Sequence, residues 1–226
     1  MLRSADELMN TPDPAWPTLQ QMLADAGPTV GVLGAAEADG RREIESLQVS
    51  ARSMLGAAAL HTGGLLIDSG WLRVLGCGHP ECAWSITAAT KHAGFGLKTG
   101  APEGLVVAID VFGGLFAING GFLTDAEAGH VAFFAPDTLQ WESLGIGHSA
   151  WIDSMLRVQQ RSAFYADLRW SGWEQEVAAL PANMGLSVYP PLWSRESRPI
   201  EATRRAVIPI AELVTGVLEM ARQMRR

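Results

Sequence analysis

The chain has 226 residues, of which 48% are hydrophobic and 18% charged, a composition typical of a globular protein and unlike that of a disordered one. No shift in composition divides it, so we expect a single globular domain over residues 1–226. The formal net charge of −7 opposes nucleic-acid binding, which needs a basic surface to displace counterions from phosphates.

The first residues and the lengths of the apolar runs indicate the cellular location of the protein. Asp6 and Glu7 stand where a secretory signal would carry basic residues followed by an apolar run. The apolar runs 57–60 and 105–109 are far shorter than the ~20 residues that cross a bilayer. Two cysteines are too few for a disulfide framework and suit a reducing compartment. We therefore expect a cytoplasmic protein without a membrane partner.

The N-terminal quarter predicts helices. Ser4 and Glu7 have the spacing of a capping box, in which each side chain accepts a hydrogen bond from the other residue's amide, so a short helix begins there. A second helix is predicted at 14–26. Across 41–55 the apolar spacing fits a helix only in its first half, which predicts a helix that ends near Ser50 and leads into a strand.

The middle of the chain carries short apolar runs separated by turn residues. Runs 65–68 and 71–75 predict a hairpin, and runs 105–109, 115–118 and 131–134 predict an antiparallel meander. Further helices are predicted at 151–159, 163–169, 173–180 and 209–225. Together these elements predict an α+β fold, with a central, mostly antiparallel sheet of about five strands flanked by N- and C-terminal helices.

Two segments come close to known cofactor or metal motifs. Residues 77–82 offer two thiols and an imidazole, but a structural zinc site needs four ligands, so we predict no metal and expect two thiols. Glu81 replaces the third glycine of a dinucleotide fingerprint. Residues 145–150 fit that fingerprint but follow an alternating strand rather than a buried one, which favours a helix start capped by Ser149. No cofactor is predicted.

Linear catalytic motifs are absent from the sequence. Residues 147–151 differ from a nucleophile elbow because Trp151 takes the place of a glycine, and no histidine follows His148 to act as the base. Neither a phosphate-binding loop nor a His-Glu-x-x-His helix occurs. We therefore predict no catalytic residue from motifs.

Tryptophan and arginine, two residue types common at interfaces, are frequent in the second half. Trp170 and Trp173 flank a predicted turn, where full burial is harder, which makes them candidates for an exposed binding surface. A basic cluster is interpreted as a solvated face, with a patch for an acidic protein as the alternative. Its members are Arg195, Arg198, Arg204, Arg205, Arg222, Arg225 and Arg226.

Long, ordered stretches of the chain resemble the bacterial family labelled domain of unknown function 2625. They lie at 4–16, 63–76, 113–121, 134–142 and 189–193, so the resemblance covers nearly the whole chain, and it brings no established activity. The middle section, in which Gly-Gly-Leu-Phe-Ala-Ile-Asn precedes Asp-Thr-Leu-Gln-Trp-Glu, also resembles the SUKH superfamily. That resemblance implies an α+β fold with a mostly antiparallel sheet, and many of its bacterial members are immunity proteins that neutralise toxins.

Two classes of function follow. The favoured one is a non-catalytic protein-binding module, a SUKH-like immunity or regulatory protein that binds a toxin or regulatory target through a preformed surface around 113–119 and 137–142. Its candidate binding residues are Asp68, Asn119, Asp137, Trp141, Glu142, Trp170 and Trp173. The alternative is a small-molecule enzyme with a pocket assembled from distant residues. Those residues would be His61, Asp68, Asp110, Asn119 and Asp137.

Overall fold

The computed structural model describes residues 2–82, 84–96 and 102–224. The strands are β1 (Val30–Gly34), β2 (Thr62–Ile67), β3 (Leu72–Leu75), β4 (Gly104–Asp110), β5 (Leu115–Asn119), β6 (His130–Ala135), β7 (Gln140–Gly147), β8 (Met184–Tyr189) and β9 (Arg204–Pro209). The helices are α1 (Ala5–Met9), α2 (Trp16–Asp25), α3 (Glu37–Leu47), α4 (Met54–His61), α5 (Ile86–His92), α6 (His148–Leu156), α7 (Val158–Phe164), α8 (Trp173–Ala178) and α9 (Ile210–Met224). The α+β fold is confirmed.

The main sheet contains β1 to β7 in chain order, and every neighbouring pair is antiparallel. It therefore has seven strands rather than about five. The five strands β2 to β6 occupy the region where strands were predicted, and β1 and β7 extend the sheet on either side. Both outer strands are only partly buried, and β7 alternates polar and apolar residues instead of forming the apolar run that marks the central strands.

Helices cover both faces of the sheet. On one face, Phe116 of β5 contacts Trp151 of α6 and Phe164 of α7. On the other, Trp141 of β7 contacts Phe95, which follows α5. Because both faces are covered, β4 is buried along its whole length and reads as a continuous apolar run.

The helix starts are partly as predicted. The capping box at α1 is confirmed, since the Ser4 amide donates to the Glu7 carboxylate over 2.7 Å and the Ser4 hydroxyl accepts from the Glu7 amide. The proposed cap at Ser149 is wrong, because α6 begins at His148 with Gly147 as its N-cap. No helix in the described parts of the chain is long and apolar enough to cross a membrane.

The strand predicted after Ser50 is also wrong, because helix α4 forms there. Residues 54–60 are all buried, between α2 and α3 on one side and β2 on the other. A helix that is apolar all round has no hydrophobic stripe, so its sequence lacks the helical period by which an amphipathic helix is recognised.

A second, two-stranded sheet joins β8 and β9. The sequence analysis predicted neither strand. This hairpin packs against α9, and the Leu186 amide of β8 donates to the Val111 carbonyl over 2.8 Å, which attaches it to the β4–β5 turn. The predicted C-terminal helix is confirmed as α9 through Met224, and Arg225 and Arg226 lie outside the described residues.

Two helix glycines should respond oppositely to the same substitution. A Cβ on Gly40 of α3 would overlap the carbonyl oxygen of Leu60 in α4, whereas one on Gly216 of α9 would meet nothing within 4 Å. We expect Gly40→Ala to destabilise the protein by about 1–3 kcal/mol because the two helix backbones must separate. Gly216→Ala should stabilise it by about 0.5–1 kcal/mol because alanine loses less backbone entropy in a helix.

Urea denaturation of the two variants and the wild type measures both effects. Equal shifts of the same sign would contradict the close approach of α3 to α4 at Gly40.

Candidate functional site

Three hairpin turns lie at one end of the main sheet, which we call the hairpin-turn end. They join β2 to β3, β4 to β5 and β6 to β7, and they carry Asp68, Asp110 and Asp137 respectively. Asn119 and His61 lie at the opposite end of the strands, at the end of β5 and just before β2. The structure therefore gathers three of the five residues of the enzyme hypothesis and separates the other two from them.

Asp68 is the acceptor of a buried double ion pair. Its Oδ1 lies 2.6 Å from Nη2 of Arg161, and its Oδ2 accepts from Nη2 of Arg169. Arg161 also donates to the carbonyls of Met155 and Leu156 at the end of α6. Since Arg161 is 1% exposed, removing its partner would leave an uncompensated buried charge, which typically costs about 3–5 kcal/mol. Asp68 thus ties the β2–β3 turn to α6 and α7.

Trp170 and Trp173 pack around the buried ring of Trp71. Their ring centroids lie 5.8 and 5.1 Å from that of Trp71. The guanidinium of Arg169 lies 4.0 Å above Trp173, and that of Arg205 lies 4.2 Å above Trp170. Trp170 is 5% exposed, so of the two candidates Trp173, which is half-buried, presents more of its ring to solvent.

Asp110 caps its own turn inside the core. Its Oδ1 accepts from the amides of Phe112 and Gly114 over 2.9 and 2.8 Å. Its Oδ2 and the hydroxyl of Tyr165 are both buried, and although the two groups lie close enough to interact, neither has a described hydrogen-bond partner within 3.5 Å. Burial raises the pKa of Asp110 to about 6, although the two turn amides and Arg73 act to lower it.

Asp137 and Glu142 lie near the β6–β7 hairpin but differ in their surroundings. Asp137 Oδ2 accepts from Nη2 of Arg198 over 2.7 Å, and Arg198 also donates to the carbonyl of Asp167. Glu142 is exposed on the outer strand β7, opposite Phe133. Of the two carboxylates, Glu142 is therefore the one open to a partner.

Trp141 and Asn119 contribute to packing and loop structure. Trp141 is half-buried against Phe122, with ring centroids 5.0 Å apart. Asn119 is 1% exposed; its amide donates to the carbonyls of Leu123 and Ala126, and its oxygen accepts from the amides of Gly121 and Leu123. These bonds hold the 120–129 loop, so Asn119 offers little to a ligand in this conformation.

The sequence analysis missed an apolar groove beside the hairpin-turn end. The groove has a volume of about 400 Å³ and lies between the β8–β9 hairpin and α9, with Phe112 and Pro136 of two hairpin turns in its lining. Tyr189, 70% exposed, and the half-buried Trp193 also line it. The Tyr-Pro-Pro-Leu-Trp stretch at 189–193 was the available signal, since exposed aromatic residues between prolines suit a rigid binding surface.

The Cys77–Cys82 segment does not form a metal centre in the described part of the chain, where no group of three or more His, Cys, Asp or Glu could hold an ion. Burial raises the pKa of the Cys77 thiol to about 11, and the nearby carboxylates Asp39 and Glu43 raise it further. Cys77 is therefore protonated at neutral pH and is a poor ligand or nucleophile.

Asp110 and His148 should give opposite pH dependences of stability. Burial lowers the pKa of His148 to about 4, so the stability it contributes is present above pH 6.5 and is lost as the pH falls toward 4. The raised pKa of Asp110 has the opposite effect. The buried carboxyl resists ionisation, so the protein loses stability as the pH rises from about 4 to 6. The two contributions largely cancel in the wild type.

Without the carboxyl of Asp110, the Asp110→Asn variant should gain more free energy of unfolding than the wild type as the pH rises from 4 to 6.5. Without the imidazole of His148, the His148→Leu variant should instead lose free energy of unfolding over the same range. Each change is expected on the order of 3 kcal/mol across the window. Urea unfolding at pH 4, 5, 6 and 7 measures it. Identical pH profiles for both variants would contradict the assignment.

Comparison with known proteins covers nearly the whole chain. A "Putative uncharacterized protein YbfG" of Escherichia coli (strain K12) is 37% identical over 224 residues, which is 99% of this chain and 98% of that protein. An "Uncharacterized protein" of Haemophilus influenzae (strain Rd) is 30% identical over 182 residues, or 80% and 79% of the two chains. No solved structure matches. Residues 5–213 match the family described as "Protein of unknown function DUF2625", and the chain belongs to that family.

Proposed function

We propose that this protein is a non-catalytic protein-binding module, an immunity or regulatory protein of the cytoplasm, and that it holds an extended segment of its partner in the apolar groove. The observation that carries the proposal is the groove itself, which is lined by the exposed aromatic side chain of Tyr189 on β8, the strand that pairs with β9. Apolar grooves next to unpaired strands are a recurrent way to bind extended peptides.

The open edge belongs to β9. In the described parts of the chain β9 pairs with β8 alone, so the backbone groups along its other edge are available to a further strand. Val207 on β9 is 52% exposed. A peptide strand added to β9 would gain main-chain hydrogen bonds from the edge and side-chain contacts from the adjoining groove.

The polar candidates support binding over catalysis. Asp68 is paired with two arginines, Asn119 makes five hydrogen bonds to backbone groups, and Asp137 is paired with Arg198. The groove lining is mainly apolar, with Ser187 and Glu212 as its polar members. Catalysis in a pocket requires convergent polar or titratable groups, and this lining supplies few. The net charge of −7 favours a basic toxin or regulatory target as the partner.

The groove can be tested by selecting phage-displayed peptides on the wild-type protein and measuring their affinity by fluorescence anisotropy. Tyr189→Asp should weaken binding of the selected peptides at least tenfold, or about 1.4 kcal/mol, because it places a charge at the groove's exposed aromatic residue. Since Tyr189 is 70% exposed, the melting temperature should not change.

Val158→Asp is the matched control, because Val158 is an apolar residue of α7 that is 57% exposed and lies outside the groove. Glu142→Lys tests the strand-end surface separately. Peptides that bind the wild type and Tyr189→Asp equally would refute the groove, and loss of binding in Glu142→Lys alone would assign the surface to the β6–β7 hairpin.

A further inference from the structure

Unpaired side chains of opposite charge lie at the two ends of the apolar groove. Glu212 of α9 is exposed and lines the groove. Arg204 is exposed at the start of β9, directly opposite Tyr189 of the lining. Across the described parts of the chain, neither charged side chain makes a hydrogen bond or an ion pair. Each therefore has its charge available to a partner.

The β8–β9 hairpin sets the separation of these two charges. Leu213, the neighbour of Glu212, lies against Gly185, since a Cβ on Gly185 would be 2.8 Å from Cδ2 of Leu213. Gly185 precedes Tyr189 by four residues of β8, which corresponds to about 13 Å at ~3.3 Å per residue. Because Tyr189 pairs with Arg204, the two charges lie at opposite ends of this length of strand.

One face of the hairpin forms the floor between the charges. Gly185, Ser187 and Tyr189 point to the same face of β8, since successive residues of a strand point to opposite faces. Ile208 of β9 pairs with Gly185 and so shares that face. It lines the groove together with Ser187 and Tyr189. An extended segment has the same period of two, so its first, third and fifth residues would point at this floor.

We propose that the groove selects an extended segment in which a basic and an acidic residue lie four positions apart, with an apolar residue midway between them. This inference rests on the proposed binding function of the groove. The basic residue would pair with Glu212 and the acidic residue with Arg204. The apolar residue would lie on the floor between them, and all three side chains would point to the same side of the segment.

Two charged residues that adjoin this surface in the chain are instead paired. Asp137, next to Pro136 of the lining, accepts from Arg198 over 2.7 Å. Arg205, the second residue of β9, lies 3.2 Å from the carboxylate of Glu176. Their charges are compensated within the protein, so the unpaired glutamate and arginine at the groove ends set the charge pattern.

A set of fluorescent peptides with five-residue cores flanked by glycines measures this preference. The central residue is Leu, Phe, Tyr or Trp, and the end residues are Lys and Glu in either order, Lys at both ends, Glu at both ends or Gln at both ends. The better Lys–Glu order should bind the wild type about fivefold more tightly than the Gln core in fluorescence anisotropy, because two partly exposed ion pairs each contribute modestly.

Variants at the two groove ends should change the ranking in opposite ways. For Glu212→Lys, the core with Glu at both ends should bind more tightly than either Lys–Glu order, and for Arg204→Glu the core with Lys at both ends should do so. Glu219→Lys is the matched control, because Glu219 is an exposed residue of the same helix outside the lining. It changes the net charge equally and should rank the peptides as the wild type does.

The outcomes separate this inference from the proposed function. Peptides that bind the wild type but not Tyr189→Asp, with equal affinity for every charge pattern, would leave the groove in place and overturn the charge preference. Equal changes of ranking in Glu212→Lys and Glu219→Lys would also overturn it, because net charge alone would explain them. Absence of binding by every peptide would overturn both the groove and its charge preference.

Discussion

The carboxylate of Asp68 accepts hydrogen bonds from both Arg161 and Arg169 where little water reaches, and the arrangement of the hairpin-turn end depends on that contact. Arg161 also donates to the last carbonyls of α6, and the guanidinium of Arg169 also lies over the ring of Trp173. Two charges of one sign lie close together only because a carboxylate separates them. The turn between β2 and β3, helices α6 and α7, and the tryptophan cluster are thereby fixed to one another.

The groove is a consequence of this fixed end. Trp71 packs against Trp170, and the guanidinium of Arg205 on β9 lies over the ring of Trp170, so the position of the β8–β9 hairpin is linked to the Asp68 site. Phe112 contacts Trp71 and also lines the groove. A partner in the groove would therefore meet a surface backed by buried aromatic rings, which limits the ordering cost of binding.

Sequence patterns predicted those helices and strands whose neighbouring residues already favour the structure that they adopt in the fold. The α1 capping box and the strands β2 to β6 have short-range signals that tertiary packing reinforces. Helix α4 and strands β8 and β9 lack such signals. The residues of α4 are buried all round, and β8 and β9 form a hairpin whose strands are separated by 14 residues, so their pairing is decided by contacts with α9 and Val111.

The candidate site could be predicted only as residue types. Acidic residues at Asp68 and Asp137 were identified from their places after apolar strands, but their arginine partners lie 61 to 101 positions later in the chain. No spacing rule connects groups so far apart. Carboxylates that are paired with arginines in the fold were therefore predicted to be free to bind a partner. The groove was missed for a related reason, since its walls come from three separate regions.

Buried charge occurs at two places in this sheet, and the two places differ in how the charge is compensated. At Asp68, two cations share one carboxylate and the charges are satisfied within the described chain. At Arg73, the guanidinium is also buried, but among the described residues it forms no ion pair, and Asp110 acts on it only through space. A buried charge with a hydrogen-bonded partner recovers most of its desolvation cost, whereas one without such a partner does not. The Asp68 site therefore stabilises the hairpin-turn end, whereas burial of Arg73 costs free energy that the packing of the sheet must offset.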